Sequence, residues 1–236
     1  MIVKREFFIG FRDVDVNSKM KNSSILNLFQ NIACIHSIEI GRKFKGMAST
    51  WILTGYKVDI KKRPVYGQIV TASTWVKEMK NILAVREFEI RDEEGNVMVT
   101  AISNWAHMSN NKLSKIPEGS EESYGLEPDV TNYDVSKLTK IQEPENFELE
   151  KSYNIDWNWI DVNHHLNNIY YMDIVDMVIP DDKKTEMCKS FEISYKKEVK
   201  YNEKIKVFYV EENNNCWIVV KSEDLSVVHT VIKLVY

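Results

Sequence analysis

Asp161-Val162-Asn163-His164-His165-Leu166-Asn167-Asn168 is dense in reactive groups, and a fainter copy of it stands at Asp15-Val16-Asn17-Ser18-Lys19-Met20-Lys21-Asn22. The later stretch holds a carboxylate, a carboxamide and an imidazole within five residues, just ahead of a segment with helical patterning. Carboxylate and imidazole can activate water, and an amide can orient a carbonyl. In the copy, Lys19 stands where the later stretch has His165. Asp15 and Asp161 are 146 positions apart (161 − 15), as are Asn17 and Asn163 (163 − 17). Further on, Lys61-Lys62-Arg63-Pro64-Val65-Tyr66 is similar to Lys196-Lys197-Glu198-Val199-Lys200-Tyr201 at an offset of 135 (201 − 66). A shorter second helix and exit loop would explain the smaller offset. Two tandem copies of one supersecondary unit are therefore expected, each with a helix against an antiparallel sheet.

The patterns on either side of the repeat agree. Ile25, Leu28, Phe29, Ile32, Ala33 and His36 recur at helical spacing, which predicts a helix over 22–40 capped by Asn22, Ser23 or Ser24 and closed by Gly41. Tyr56, Val58 and Ile60 alternate with charged residues as in a strand, and 97–102 is apolar on both faces. Asp92-Glu93-Glu94-Gly95-Asn96 reads as a hairpin turn. A helix through Ile169, Tyr170, Ile174 and Val175 stops before Pro180, and strands are expected over 191–200, 203–210, 216–221 and 227–236. Three of the five Pro fall between 109 and 147 with Gly119 and Gly125, so this stretch reads as a linker with some local structure. The expected division is 1–110 as a substrate-binding unit, 111–147 as linker and 148–236 as a catalytic unit. The fold class is α+β.

Whole-chain numbers narrow the functions. The chain has 236 residues, 44% hydrophobic and 28% charged, which is ordinary for a soluble globular protein. A net charge of -4 gives a nucleic-acid role no support. The 3 Cys (Cys34, Cys188, Cys216) include no close pair, which argues against a disulfide framework and against a cysteine zinc site. No apolar run approaches the ~18 residues that cross a bilayer, and residues 1–10 are too interrupted by charge for a signal peptide. No stable membrane insertion and a cytoplasmic location are expected.

The run Asp161 to Ile169 followed by Tyr195-Lys196-Lys197-Glu198 resembles the acyl-acyl carrier protein thioesterases of plants and bacteria. Arg63-Pro64-Val65-Tyr66-Gly67-Gln68-Ile69-Val70 and Leu113-Ser114-Lys115-Ile116-Pro117 are similar to that family's segments in the same order, so the resemblance covers nearly the whole chain. It implies a double hotdog, two tandem units each with a long helix wrapped by a curved antiparallel sheet. It also implies hydrolysis of the thioester between a fatty acyl chain and acyl carrier protein, with Asp161, Asn163, His165 and Glu198 on the catalytic positions. Plant members often have Cys after that Glu. Here it is Val199, which removes any case for a cysteine nucleophile at this place.

A thioester needs no metal for cleavage, and neither metal nor cofactor is expected. Glu198, on the following strand, and His165 are assigned to water activation. Asp161 orients His165 or Asn163, or itself attacks the carbonyl, and the sequence leaves both open. Asn163 can donate to the carbonyl or the water, and amides at the start of the following helix would favour an oxyanion. His164 is read as a bystander. In the first half Lys19 and Arg63 replace imidazole and carboxylate, so that half is expected to bind rather than catalyse. Ile25, Leu28, Phe29, Ile32, Trp51 and Leu53 would line an acyl tunnel there, against a plain core role for each. Basic clusters at Lys61-Lys62-Arg63, Lys183-Lys184 and Lys196-Lys197 with Lys200 could steer an acidic carrier protein. An acyl-CoA thioesterase, a hotdog dehydratase and a non-catalytic acyl-thioester binder remain as rival readings, and a homodimer is possible.

Overall fold

The structure is a computed structural model. It describes residues 1–43, 50–110, 112–135 and 137–236, with the side chains of 42, 43 and 50 left aside. The chain divides into two compact units, Met1–Leu138 and Thr139–Tyr236.

In the first unit, β1 (Val3–Phe8) leads through the Asp15 loop into α1 (Asn22–Lys43). Four long strands follow: β2 (Thr50–Ile60), β3 (Ile69–Lys80), β4 (Leu83–Arg91) and β5 (Val97–Ser109). They pair antiparallel in the order β1-β3-β4-β5-β2, and the short β6 (Lys112–Leu113) adds to β5. The expected stripe of α1 is buried along its length, with Ile25, Phe29, Ile32 and His36 all at 0% exposure. Phe29 meets Phe88 of β4 at 4.8 Å between ring centroids. Full burial of each such side chain stabilises by about 1.5–3 kcal/mol before conformational entropy is counted. Gly41 does not close the helix, which runs through it to Lys43. Gly41 does not take the left-handed conformation, and nothing stands within 4 Å of where a Cβ would sit there. Residues 98–102 are buried on both faces, as the mostly apolar pattern of 97–102 predicts.

The second unit repeats the plan in shorter form. β7 (Leu149–Asn154) leads past a tight turn at Trp157–Trp159 and the Asp161 loop into α2 (Tyr170–Val178). The helix has 9 residues against 22 in α1. Pro180 ends it, because the residue before a proline is pushed out of helical conformation. Ile179 is indeed extended, at φ -65 and ψ 148. A short acidic-headed helix, Asp181–Glu186, was not expected from the sequence. The strands β8 (Ser190–Tyr195), β9 (Lys204–Glu212), β10 (Asn215–Ser222) and β11 (Val228–Val235) pair antiparallel in the order β8-β11-β10-β9-β7.

The stretch 111–147 takes its local structure from the units it joins. Tyr124, in a one-turn helix (Ser120–Tyr124), shares a core cluster with Ile40, Val76, Met79 and Ala84, and Ile116 and Leu126 pack against it. Trp75 Nε1 donates to Val130 O at 2.7 Å, and the Asn104 side chain exchanges two hydrogen bonds with Leu138. Glu87, at 0% exposure, ion-pairs with Lys77 at 3.2 Å and accepts from Thr131 and Asn132. Beyond Leu138, Ile141 and Phe147 pack instead on Phe208, Val219 and Val231 of the second unit.

Candidate active site

The Asp161 loop is built by its own polar groups. Asp161 Oδ1 accepts from Asn163 N at 2.8 Å and, more weakly, from His165 N at 3.5 Å, while Oδ2 accepts from Asn163 Nδ2 at 3.3 Å. The backbone closes with Asp161 N to His165 O at 2.9 Å and His164 N to Asp161 O at 3.0 Å. His164 takes the left-handed conformation this turn requires, at φ 63. It is exposed, while His165 is half-buried.

Glu198 reaches the same place from the loop after β8, not from a strand as the sequence suggested. β8 ends at Tyr195 because Lys196 and Lys197 both turn their amides to His229 O on β11. Leu166 N donates to Val199 O at 2.7 Å, and His165 bridges Lys200. His165 and Glu198 therefore sit on neighbouring stretches of backbone. The carboxylate's own backbone amide, Lys197 at 3.2 Å and the charge of His165 hold Glu198 below the usual carboxylate range against the opposing effect of burial. Glu198 is an anion near neutral pH.

The helix expected to start at Asn168 begins at Tyr170, and three amides near its start are used internally. Ile169 N donates to Asn167 Oδ1, Tyr170 N to Asn167 O and Met172 N to Ile169 O. Neither Cys34 nor Cys216 is a ready nucleophile, since burial pushes both thiols up.

The first unit repeats the loop with other side chains. Asp15 Oδ1 accepts from Asn17 N and Lys19 N at 2.9 Å each, Asp15 N donates to Lys19 O at 2.9 Å, and Ser18 has φ 62. Met20 N donates to Pro64 O, and Lys19 bridges Val65. These pairs put Arg63 where the second unit has Glu198, which is the offset of 135 read from the sequence. The flanking aromatics repeat too. Phe11 meets Tyr66 edge-on at 5.2 Å, and Trp157 meets Tyr201 edge-on at 5.2 Å.

A cavity of ≈ 320 Å³ lies in the first unit. Trp51, Val76, Met79, Ala84, Trp105 and Tyr124 form its apolar wall, α1 contributes Ala33, Cys34, Ser37 and Ile38, and Arg86 is the one charged residue on it among the described residues. Of the six residues expected to line an acyl tunnel, Trp51 lines this cavity. Ile25, Leu28, Phe29, Ile32 and Leu53 are core residues, none more than 6% exposed. The helix face turned to the cavity is one turn further along than the stripe suggested. Arg86 was missed, although a charge on the otherwise apolar strand face of Ala84, Phe88 and Ile90 was a visible signal.

The basic clusters are largely paired. Lys183 meets Glu211 at 2.9 Å, Lys184 meets Asp181, and Lys197 meets Glu198. Among the described residues no ion pair forms at Lys61, Lys196 or Lys200, and all three are exposed.

Residues 1–124 match the acyl-ACP thioesterase N-terminal domain, and residues 142–233 match the acyl-ACP thioesterase C-terminal domain, ACP being acyl carrier protein. This chain belongs to the acyl-ACP thioesterase family. A chloroplastic palmitoyl-acyl carrier protein thioesterase of Arabidopsis thaliana is 27% identical over 84% of this chain and 52% of its own length. The chain thus spans about half the length of such curated relatives. The crystal structure of an acyl-ACP thioesterase from Bacteroides thetaiotaomicron superposes with a TM-score of 0.88 at 22% identity, covering 99% of this chain and 97% of that one. The 12:0-ACP thioesterase from Umbellularia californica gives 0.83 at 20% identity, covering 99% and 96%. Likeness of this degree establishes the fold as α+β, a double hotdog. Among the described residues no helix is long and apolar enough to cross a membrane.

Proposed function

We propose that this chain hydrolyses the thioester of fatty acyl-acyl carrier protein, releasing free fatty acid and holo-acyl carrier protein. The observation that carries the reading is the repeated loop, in which only the second copy has an imidazole beside a carboxylate. His165 takes a proton from water as the water oxygen attacks the thioester carbonyl. It then returns that proton to the sulfur as the carbon–sulfur bond breaks. Glu198, already an anion, stabilises the imidazolium formed between the two steps. Asn163 has one amide hydrogen on Asp161 and the other available for the carbonyl oxygen. Asp161 is a positioning residue, since both of its oxygens hold the loop. The first unit's cavity is assigned to the acyl chain. Exposed Lys196 and Lys200, close in sequence to Glu198, suit an acidic carrier protein.

The test is to incubate the purified chain with a panel of acyl carrier protein thioesters and measure free thiol and fatty acid. Release well above the protein-free rate supports the reading, and its absence across the panel ends it. Faster release from acyl-CoA of the same chain length would move the assignment to an acyl-CoA thioesterase. The cytoplasmic setting and the homodimer belong to the same proposal, and the mass of the purified chain in solution checks the second.

A further inference from the structure

The first unit buries a charge that hydrolysis does not use. Arg86 lies on β4, on the strand face it shares with the buried Ala84, Phe88 and Ile90, and is 6% exposed. Among the described residues its side chain makes two hydrogen bonds, to His36 Nδ1 at 3.0 Å and Thr74 Oγ1 at 3.1 Å, and both leave from Nη1. Neither partner is an anion. The Thr74 hydroxyl spends its proton on Glu87 O, so it accepts from Arg86. Burial first, and then the charge of Arg86 itself, lower His36 to about 3, so its ring is neutral. Burial likewise pushes the nearby Tyr56 hydroxyl and Cys34 thiol up, which keeps both neutral. Among the described residues no carboxylate pairs with Arg86. The adjacent Glu87 is engaged with Lys77, Thr131 and Asn132 instead. A buried charge without a counter-ion is costly to keep.

This guanidinium lines the cavity. Its Nε and Nη2 edge, the edge that matches a carboxylate with two parallel N–H bonds, has no acceptor among the described residues. Trp51, on the same cavity, has its Nε1 buried with no hydrogen-bond partner among the described residues. The remaining wall is mostly apolar, and ≈ 320 Å³ falls within the ~300–1,000 Å³ of pockets that bury small ligands. We propose that this cavity is a subsite for an alkyl chain bearing a carboxylate, with Arg86 as counter-ion and the Trp51 indole as a further donor. The proposal deepens the hydrolase reading and rests on it for the fate of the chain's other end. The carboxylate has two possible sources. One is a free fatty acid entering head first and competing with substrate. The other is the far carboxyl of a dicarboxylic acyl thioester.

Binding to the full chain, followed by tryptophan fluorescence, is compared for dodecanoate, dodecanedioate and dodecan-1-ol. The acids should bind about tenfold tighter than the alcohol, and Arg86→Gln should bring the three within about twofold. Ser37→Trp, at an exposed helix position on the cavity, should weaken all three and serves where Arg86→Gln does not fold. Equal binding of acid and alcohol, an acid preference that survives Arg86→Gln, or undiminished binding of all three in Ser37→Trp, overturns the subsite. Hydrolysis of dodecanoyl-acyl carrier protein is measured alongside. Competitive inhibition by dodecanoate that Arg86→Gln abolishes identifies the free acid. Faster turnover of the ω-carboxylated thioester, again lost in Arg86→Gln, identifies the dicarboxylic chain. Intact hydrolysis with neither effect removes the subsite and leaves the hydrolase reading standing. Carboxylate binding without any thiol release does the reverse.

Discussion

In the first unit Asp15 gathers the amides of Asn17 and Lys19, and in the second Asp161 gathers those of Asn163 and His165. The same backbone is built twice, down to a left-handed residue at Ser18 and at His164. Val16 and Val162 even project to the same degree, at 97% and 92% exposure. An aspartate and an asparagine at this spacing are therefore what the turn needs, whether or not chemistry follows. What separates the copies is Lys19 against His165 and Arg63 against Glu198. Arg63 donates to Met20 O at 2.9 Å and Asn22 Oδ1 at 2.8 Å, tying the loop to the start of α1. An ionised Glu198 has no donor for the matching Leu166 carbonyl. The second unit lacks that tie, and its helix starts two residues later than the repeat would place it, at Tyr170 where α1 begins at Asn22. A brace in one copy has become an anion beside an imidazole in the other.

The largest expected effect is at His165. His165→Ala should lower turnover by about 10²-fold or more while thermal unfolding stays cooperative, because it removes the proton carrier. Lys19→Ala, its counterpart, should leave turnover within about twofold, and so should His164→Ala. Thiol release by the three variants decides this. Damage from His164→Ala in place of His165→Ala would put the imidazole assignment one position off. Next in size is Glu198→Gln, which keeps the shape and removes the charge. It should cost about tenfold in kcat with little change in KM, since it acts on a charge that forms only during reaction. A change confined to KM would make Glu198 part of the docking surface with Lys196 and Lys200 instead.

The repeat was legible because it leaves two signals that do not depend on packing: fixed offsets, and turn residues whose side chains bond their own backbone. The buried stripe of α1 and the doubly covered 98–102 were legible for the same local reason. Glu198 was expected on a strand, since 191–200 looks continuous. The break at Tyr195 comes from Lys196 and Lys197 both bonding His229 O, a pairing across β11 that no local pattern encodes. The helix start was set two residues early, because Asn167 supplies two acceptors to the chain ahead of it and delays the first turn. The cavity was hardest to read. Periodicity tells that Phe29 and Ile32 point inward, but not that the space they face is filled while that beside Ala33 and Ser37 is open.

Smaller effects test whether the two loops are as alike as their hydrogen bonds suggest. Arg63→Met should cost about 1–2 kcal/mol in urea unfolding, since two carbonyl-type acceptors lose a charged donor. Asp15→Ala and Asp161→Ala should each cost about 1 kcal/mol, because each frees the amides its carboxylate held in a partly exposed turn. Their effects on turnover should diverge. Asp161→Ala lets both Asn163 and His165 drift and should lower kcat several-fold, in line with the roughly 10²-fold sensitivity of such sites to misplaced groups. Asp15→Ala should leave kcat unchanged once both variants are compared at a temperature where each is folded. Equal losses of kcat would mean that the first loop takes part in turnover, and the division into a binding copy and a reacting copy would then fail.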